Sequence, residues 1–406
     1  MYNIIEMNKT RKIKRSNKKK TRKINKNKRS CKEIDEKYNN ILAVIDVNAV
    51  KNNLDYLRKK ANTEVMPVLK ANAYGHGILL MSQICRHLGV NYIGVATIGE
   101  AIYLRDNGDK GNILGWLYDV YSDQLKEAFL KDIDIGIFDE THIPIISQQL
   151  SELKKKNKKK KNKKANIHLF VDTGIDRNGV PYEKAFEAAK QIVSDPNFNL
   201  LGIMSHLCCS EFKNNRATLK QLELFRTLIQ RLKEIHITPK FTHIANSNGI
   251  LNYDMSEFTM SRSGAAFYGL EEDPHLIPVM NVTSKIVQLK YISKGAGVGY
   301  DRTYIAPRKM RIAIVPIGYA DFIPLTSSQR MEMVVNGTRR KVLGLDSMDQ
   351  IVLEAKEGDQ LGDEVKVIGD PKKGFIAAHE LASRGKTTTY NILTHMSNRV
   401  SHKIIS

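Results

Sequence analysis

The segment VLKANAYGHG, Val68–Gly77, ends an apolar run on a lysine and follows it with a tyrosine and two glycines. A lysine amine is a nucleophile once it has shed its proton, and a mostly buried position promotes that loss. Such an amine forms an imine with a carbonyl compound, which suits a carbonyl cofactor. Gly75 and Gly77 permit a tight turn out of the strand into a helix. Taken alone, a strand-end lysine is more often a surface residue, so the chemistry of Lys70 depends on elements that bury it.

Those elements alternate. ILAVIDV (Ile41–Val47) and TEVMPVLK (Thr63–Lys70) read as strands, each followed by residues at helical spacing. NYIGVAT, NILGWL, IDIGIF, ANIHLFVD, NLLGIMSH and KFTHIAN continue the strand series. Leu219, Leu222, Phe225, Leu228, Leu232 and Ile235 mark one face of a helix ending before Pro239. About eight strand–helix units fit between Ile41 and Leu270, which predicts an α/β fold: a (β/α)8 TIM-like barrel over 41–273. Active sites of such barrels sit at the strand ends, where Lys70 lies. Beyond Pro274 short strands with glycine turns take over, among them RIAIVPIGYA, MEMVVNGTRRKVLG and DEVKVIG. They predict a mainly antiparallel β domain over 274–406, with a hairpin at Asn336–Gly337 and a last helix near Ala377–Arg384.

Composition bounds the function. Apolar residues make up 42% and charged residues 26% of 406, a globular balance. The net charge of +21 suggests a nucleic-acid partner until it is located. Residues 1–40 carry +11 and the Lys-rich stretch 151–164 carries +8, leaving +2 for the other 352 residues. The body is therefore nearly neutral, and nucleic acid is not the expected partner. Both basic blocks are Lys/Asn runs without aromatic interleaving and are expected to be disordered, the first as an extension and the second as an insertion in the barrel. No run of 18 apolar residues is present, so no membrane span is expected. Residues 1–40 also lack the apolar stretch of a signal peptide. Cys31, Cys85, Cys208 and Cys209 form neither a disulfide framework nor a zinc pattern, which fits a reducing cytoplasm and no metal.

VLKANAYGHG resembles the pyridoxal-phosphate lysine segment of alanine racemases. Seven further segments match that family in order: HLFVDTGIDRNG (His168–Gly179), GIMSHL (Gly202–Leu207), HIANSNG (His243–Gly249), SRSGAAFYGL (Ser261–Leu270), VGYDRTY (Val298–Tyr304), PIGYAD (Pro316–Asp321) and DSMDQ (Asp346–Gln350). The resemblance spans about Ile41–Tyr390. It implies a racemase interconverting L- and D-alanine, supplying D-alanine for cell-wall peptidoglycan. It implies pyridoxal 5′-phosphate held on Lys70, and a homodimer in which each site is completed by the partner. Lys70 and Tyr300 of the partner subunit would be the two bases, and the barrel histidine His206 would assist the tyrosine. Arg262 would face the pyridine nitrogen. Ser247, Gly264 and Ala265 would receive the phosphate, with hydroxyls from Tyr74 and Tyr390. Arg177, Tyr319 and the backbone N–H of Met348 would meet the substrate carboxylate.

Some positions depart from the family. Many members carry a carbamylated lysine seven residues before the Arg177 position, where this chain has Phe170. Phenylalanine cannot form a carbamate or pair with Arg177. Asp176, Phe322 and Leu345 are further departures. Competing readings are a serine or broader-specificity racemase, a non-catalytic pyridoxal-phosphate protein, and a decarboxylase on a similar plan. The β domain with Tyr300 argues against the second. Arg262, in place of an acid at the pyridine nitrogen, argues against the third.

Overall fold

The computed structural model describes residues 40–157 and 160–405. The basic extension expected over 1–40 therefore lies outside the described residues, apart from Asn40.

The first strand, β1 (Ile41–Asp46), is not part of the barrel. The barrel strands are β2 (Glu64–Pro67), β3 (Tyr92–Thr97), β4 (Asn112–Leu117), β5 (Asp134–Ile137) and β6 (Ala165–Asp172). A two-residue strand, β7 (Val180–Pro181), pairs with the end of β6. Then come β8 (Phe198–Met204), β9 (Phe241–His243) and β10 (Met260–Ser263). From β3 to β9 the ladder is parallel and sequential. A parallel bridge between Val68 and Gly94 joins β2 to β3, and β10 pairs in parallel with β2. The Arg262 N–H donates to the Ala245 carbonyl at 3.2 Å and completes the ring.

Seven of the eight barrel strands send a side chain into one lumen cluster: Met66, Tyr92, Leu114, Phe170, Met204, Phe241 and Met260. The eighth, β5, contributes Gly136 instead. A Cβ there would stand 2.7 Å from the Cβ of Trp116, so the glycine makes room for the chain's single tryptophan. The lumen is thus a packed core that closes the floor beneath the strand ends.

The second domain holds β11 (Met280–Lys285), β12 (Gln288–Ile292), β13 (Gly297–Val298), β14 (Tyr304–Ile305), β15 (Met310–Val315), β16 (Glu332–Val335), β17 (Thr338–Lys341), β18 (Ile351–Ala355), β19 (Glu364–Ile368) and β20 (Val400–Ile405). One six-stranded sheet runs β17-β16-β19-β11-β1-β20, and another runs β12-β15-β18. Asn336 and Gly337, both at positive φ, make the β16–β17 hairpin turn as predicted. A further helix, Thr389–Thr394, follows the one at Ala378–Arg384.

Two expectations are corrected. Ile41–Asp46 lies between β11 (antiparallel) and β20 (parallel), in the sheet of the second domain. An apolar β-branched run signals burial, not the neighbour with which the strand will pair. The stretch 151–164 is also largely ordered. Ser151–Lys156 continues the helix His142–Lys156, which buries Ile143, Ile146 and Leu150. Its last turn carries Lys154, Lys155 and Lys156, where cations meet the negative end of the helix. Lys154 reaches Asn197 at 2.8 Å, and Lys160 and Lys163 pair with Asp132.

Candidate active site

Lys70 follows β2 and opens a turn of unusual hand. Ala71, Asn72, Ala73 and Tyr74 have φ of 52°, 54°, 55° and 53°, and Gly75 follows at 82°. Left-handed backbone costs an L-residue about 1–2 kcal/mol, so four non-glycine residues in a row need anchors. Glu100 Oε1 accepts the Ala71 N–H at 2.7 Å, and Asn72 Oδ1 accepts the Ile78 N–H at 2.8 Å. His76 Nδ1 lies 3.0 Å from the carbonyls of both Ala73 and Tyr74, so it carries a hydrogen. From β20, His402 Nε2 donates to the Gly75 carbonyl at 2.9 Å. Glu100 itself belongs to the Thr97 capping box that starts the helix Ile98–Asp106. The lysine is therefore aimed by backbone clamped from the barrel and from the second domain.

A cavity of about 540 Å³ opens at these strand ends. Nine of the twelve sequence-derived site residues line it: Lys70, Tyr74, Arg177, His206, Ser247, Arg262, Gly264, Ala265 and Tyr390. Tyr300, Tyr319 and Met348 do not. They are 68%, 41% and 52% exposed on the second domain. The Tyr319 and Met348 loops adjoin, because the Ala320 N–H donates to the Met348 carbonyl at 3.0 Å.

Burial depresses the Lys70 pKa, and Arg177 and Arg262 depress it further against an opposing pull from Glu100. Arg262 is buried, and its pKa falls to about 9 through burial and then Arg177. Its Nη1 donates to His243 Nδ1 at 2.8 Å and to the His243 carbonyl at 2.9 Å. Its Nη2 donates to the Ser205 carbonyl at 2.6 Å and to His206 Nδ1 at 3.2 Å. A guanidinium has no acceptor, which fixes every tautomer beyond it. His243 passes a hydrogen from Nε2 to His168 Nδ1 at 2.8 Å. His168 Nε2 donates to the Tyr92 hydroxyl at 3.1 Å, and Tyr92 donates to Asp134. The lumen thus carries a polar chain from guanidinium to carboxylate, with both histidines neutral. Burial and then Arg262 hold His168 down to about 3 and His243 well below its ordinary value.

At the opposite wall, Ser247 Oγ accepts the Ala266 N–H at 3.1 Å and lies 3.4 Å from Ser263 Oγ. Gly264 lies where a Cβ would strike the Tyr74 hydroxyl, so its lack of a side chain lets that hydroxyl approach. Tyr74 meets Tyr390 edge-on at 6.1 Å. Hydroxyls and small residues here form a corner suited to an anion.

Phe170 is buried in the lumen cluster with its ring at the cavity floor. Arg177 is exposed on the loop above, its Nε 3.5 Å from Asn178 Oδ1. The nearby Asp172 carboxylate accepts the N–H groups of Gly174, Ile175 and Asp176. Sequence reasoning missed Trp116, Glu211, Asn246, Asn248 and Glu271, which also line the cavity. Trp116 had a signal, as the only tryptophan in the chain. Among the described residues, no three His, Cys, Asp or Glu side chains gather as metal ligands. None of their helices is long and apolar enough to cross a membrane.

Residues 45–272 match the family model "Alanine racemase, N-terminal domain", and residues 279–404 match "Alanine racemase, C-terminal domain". An alanine racemase of Thermobifida fusca is 32% identical over 370 residues, covering 88% of this chain and 96% of that protein. One of Sorangium cellulosum is 32% identical, covering 88% and 97%. Among solved structures, the alanine racemase of D-cycloserine-producing Streptomyces lavendulae superposes with a TM-score of 0.83 at 29% identity. That match covers 91% of this chain and 97% of the other. The chain therefore belongs to the alanine racemase family and is an amino-acid racemase.

Proposed function

We propose that the chain interconverts L- and D-alanine with pyridoxal 5′-phosphate at Lys70, as a homodimer whose two sites are each completed by the other subunit. The observation that carries this reading is the cavity that gathers a depressed lysine, a buried arginine and the Ser247–Gly264–Ala265 corner. The donor set fits the cofactor: an amine for its carbonyl, hydroxyls and a glycine for its phosphate, and a guanidinium for its ring nitrogen.

When bound, the cofactor supplies a carbonyl for the amino group and an electron sink for the α-carbanion. Lys70 Nζ, whose pKa burial lowers, moves the α-proton on one face. Both Nη atoms of Arg262 are engaged by protein partners, so Nε–H is the donor left for a ligand. A donor that holds its proton at neutral pH keeps a ring nitrogen unprotonated and weakens the sink, which restrains side reactions. On the other face the base is Tyr300 of the partner subunit. A free tyrosine titrates near pH ~10, so its phenolate needs a donor. His206 accepts from Arg262 at Nδ1 and so offers Nε2–H for that purpose. Arg177, with Tyr319 and the Met348 N–H of the other subunit, would hold the carboxylate. The exposure of Tyr300, Tyr319 and Met348 supports this sharing of sites. Its D-alanine would serve cell-wall synthesis in the cytoplasm.

The test is to give the purified protein pyridoxal phosphate and L-alanine, then separate the products on a chiral column. D-alanine should accumulate to an equal mixture, with a near-visible absorbance band from the bound cofactor. Cofactor binding without D-alanine would refute the racemisation of alanine.

A further inference from the structure

We infer that Glu271 is a further cofactor-binding residue, which must take up a proton for the site to hold a phosphate ester, so that cofactor loading is coupled to proton uptake. This rests on the pyridoxal-phosphate reading above.

The argument turns on one hydrogen. The Tyr390 hydroxyl lies 2.7 Å from Glu271 Oε1, and Asn248 Nδ2 lies 3.3 Å from Glu271 Oε2. Glu271, Tyr390, Asn248, Ser247 and Gly264 line the same cavity. A tyrosine has a single O–H to donate. With the carboxylate ionised, that hydrogen goes to Glu271. A phosphate in the Ser247–Gly264 corner, carrying about −1.5 to −2 charges, competes for the same hydrogen and repels the carboxylate. Both demands are met when Glu271 is protonated. Its own O–H then donates to the Tyr390 oxygen, and Tyr390 donates to the phosphate.

The surroundings favour that protonation. Burial already raises the Glu271 carboxyl above its usual range, against hydrogen bonds from Tyr390 and Asn248 that lower it. Glu211 and Glu272 add negative charge beside it. Tyr74 faces it across the cavity, and a neighbouring hollow brings Asp273 and His379 to its other side. An arriving phosphate raises the carboxyl further. The sign follows: phosphate binding is strongest where Glu271 is already protonated, and weakens as pH rises through its value in the free protein.

The experiment titrates the full-length apoprotein with pyridoxal phosphate, and separately with pyridoxal, from the ordinary carboxyl value of 4.5 upward to about pH 9. It follows absorbance, and calorimetry in two buffers of different ionisation enthalpy counts protons. Wild type should take up more protons per phosphate ligand than Glu271→Gln. Its dissociation constant should rise about tenfold more across the range, a shift of one pKa unit. Pyridoxal, lacking the phosphate, should show no such difference. Tyr390→Phe removes the shared hydroxyl and should weaken the coupling to the part that charge repulsion carries, which serves if Glu271→Gln folds poorly. Equal pH slopes and proton counts in wild type and Glu271→Gln, both binding, would overturn the inference. Failure of wild type to bind pyridoxal phosphate at any pH would overturn the cofactor reading, and this inference with it.

Discussion

Arg262 Nη2 stands 3.2 Å from His206 Nδ1, and this contact determines where His206 keeps its hydrogen. Burial first, then Arg262, Arg177 and Lys70, push the His206 pKa well below its ordinary value. The imidazole is neutral and can donate only from Nε2.

Arg262→Gln should therefore raise the His206 pKa while leaving it below that of a free histidine, because burial persists. Nitrogen NMR of labelled histidine reads the shift. Racemisation should fall by about 10²–10⁴, the range for a misplaced acid–base pair. An unshifted His206 would show that burial alone sets its state.

Lys70→Ala and Tyr300→Phe should each be nearly inactive, and Tyr300→Phe should still bind cofactor. If sites are shared, mixing the two after subunit exchange should restore activity. Random pairing makes half the dimers mixed, each with one intact site, so about a quarter of wild-type activity should return. No recovery, with exchange verified by mass spectrometry, would place both bases in one chain.

The Phe170 position should make the enzyme indifferent to bicarbonate, since no carbamate can form there. Arg177 lacks the charge-assisted hydrogen bond worth about 1.5–3 kcal/mol, so the Michaelis constant for alanine should be high. Phe170→Lys should destabilise the fold by about 3 kcal/mol, because it removes a ring from the lumen cluster. Bicarbonate should recover part of that loss and lower the Michaelis constant. A wild-type response to bicarbonate would mean that another lysine has taken the role.

Ala71 and Ala73 share a left-handed backbone but not an environment. Ala71 is exposed and Ala73 fully buried. Ala71→Gly should stabilise the protein by about 0.5–1 kcal/mol through relief of strain. Ala73→Gly should gain nothing, since the buried methyl it loses is worth about 0.8 kcal/mol. Thermal unfolding of the two variants checks the contrast. No gain in Ala71→Gly would argue against the strain.

Much of this was legible in the chain because burial leaves a pattern. The barrel strands read as apolar runs, and eight of the nine cavity-lining residues, all but Tyr390, sit in segments with motif-level signals. The left-handed turn did not show, because Ala-Asn-Ala-Tyr carries no local mark of φ; Glu100, Asn72, His76 and His402 impose it from outside. Glu271 was equally silent, an acid in a loop whose meaning comes from Tyr390, 119 residues later. The Lys-rich stretch misled because charge density was weighed without the helix already running into it.

The placement of β1 sets a timetable for synthesis. Its antiparallel neighbour β11 starts at Met280 and its parallel neighbour β20 at Val400, about 350 residues after β1 ends. At ribosomal rates of about 5–20 residues per second, β1 waits roughly 20–70 s for that last partner. From the completion of β10 at Ser263 until Val400, an apolar strand with an open edge is attached to a barrel whose own strands are already made. An open edge of this kind invites pairing with other chains. The step most exposed to aggregation should thus be the arrival of Val400–Ile405, and a ribosome stalled shortly before Val400 should hold a closed barrel beside an unfinished sheet.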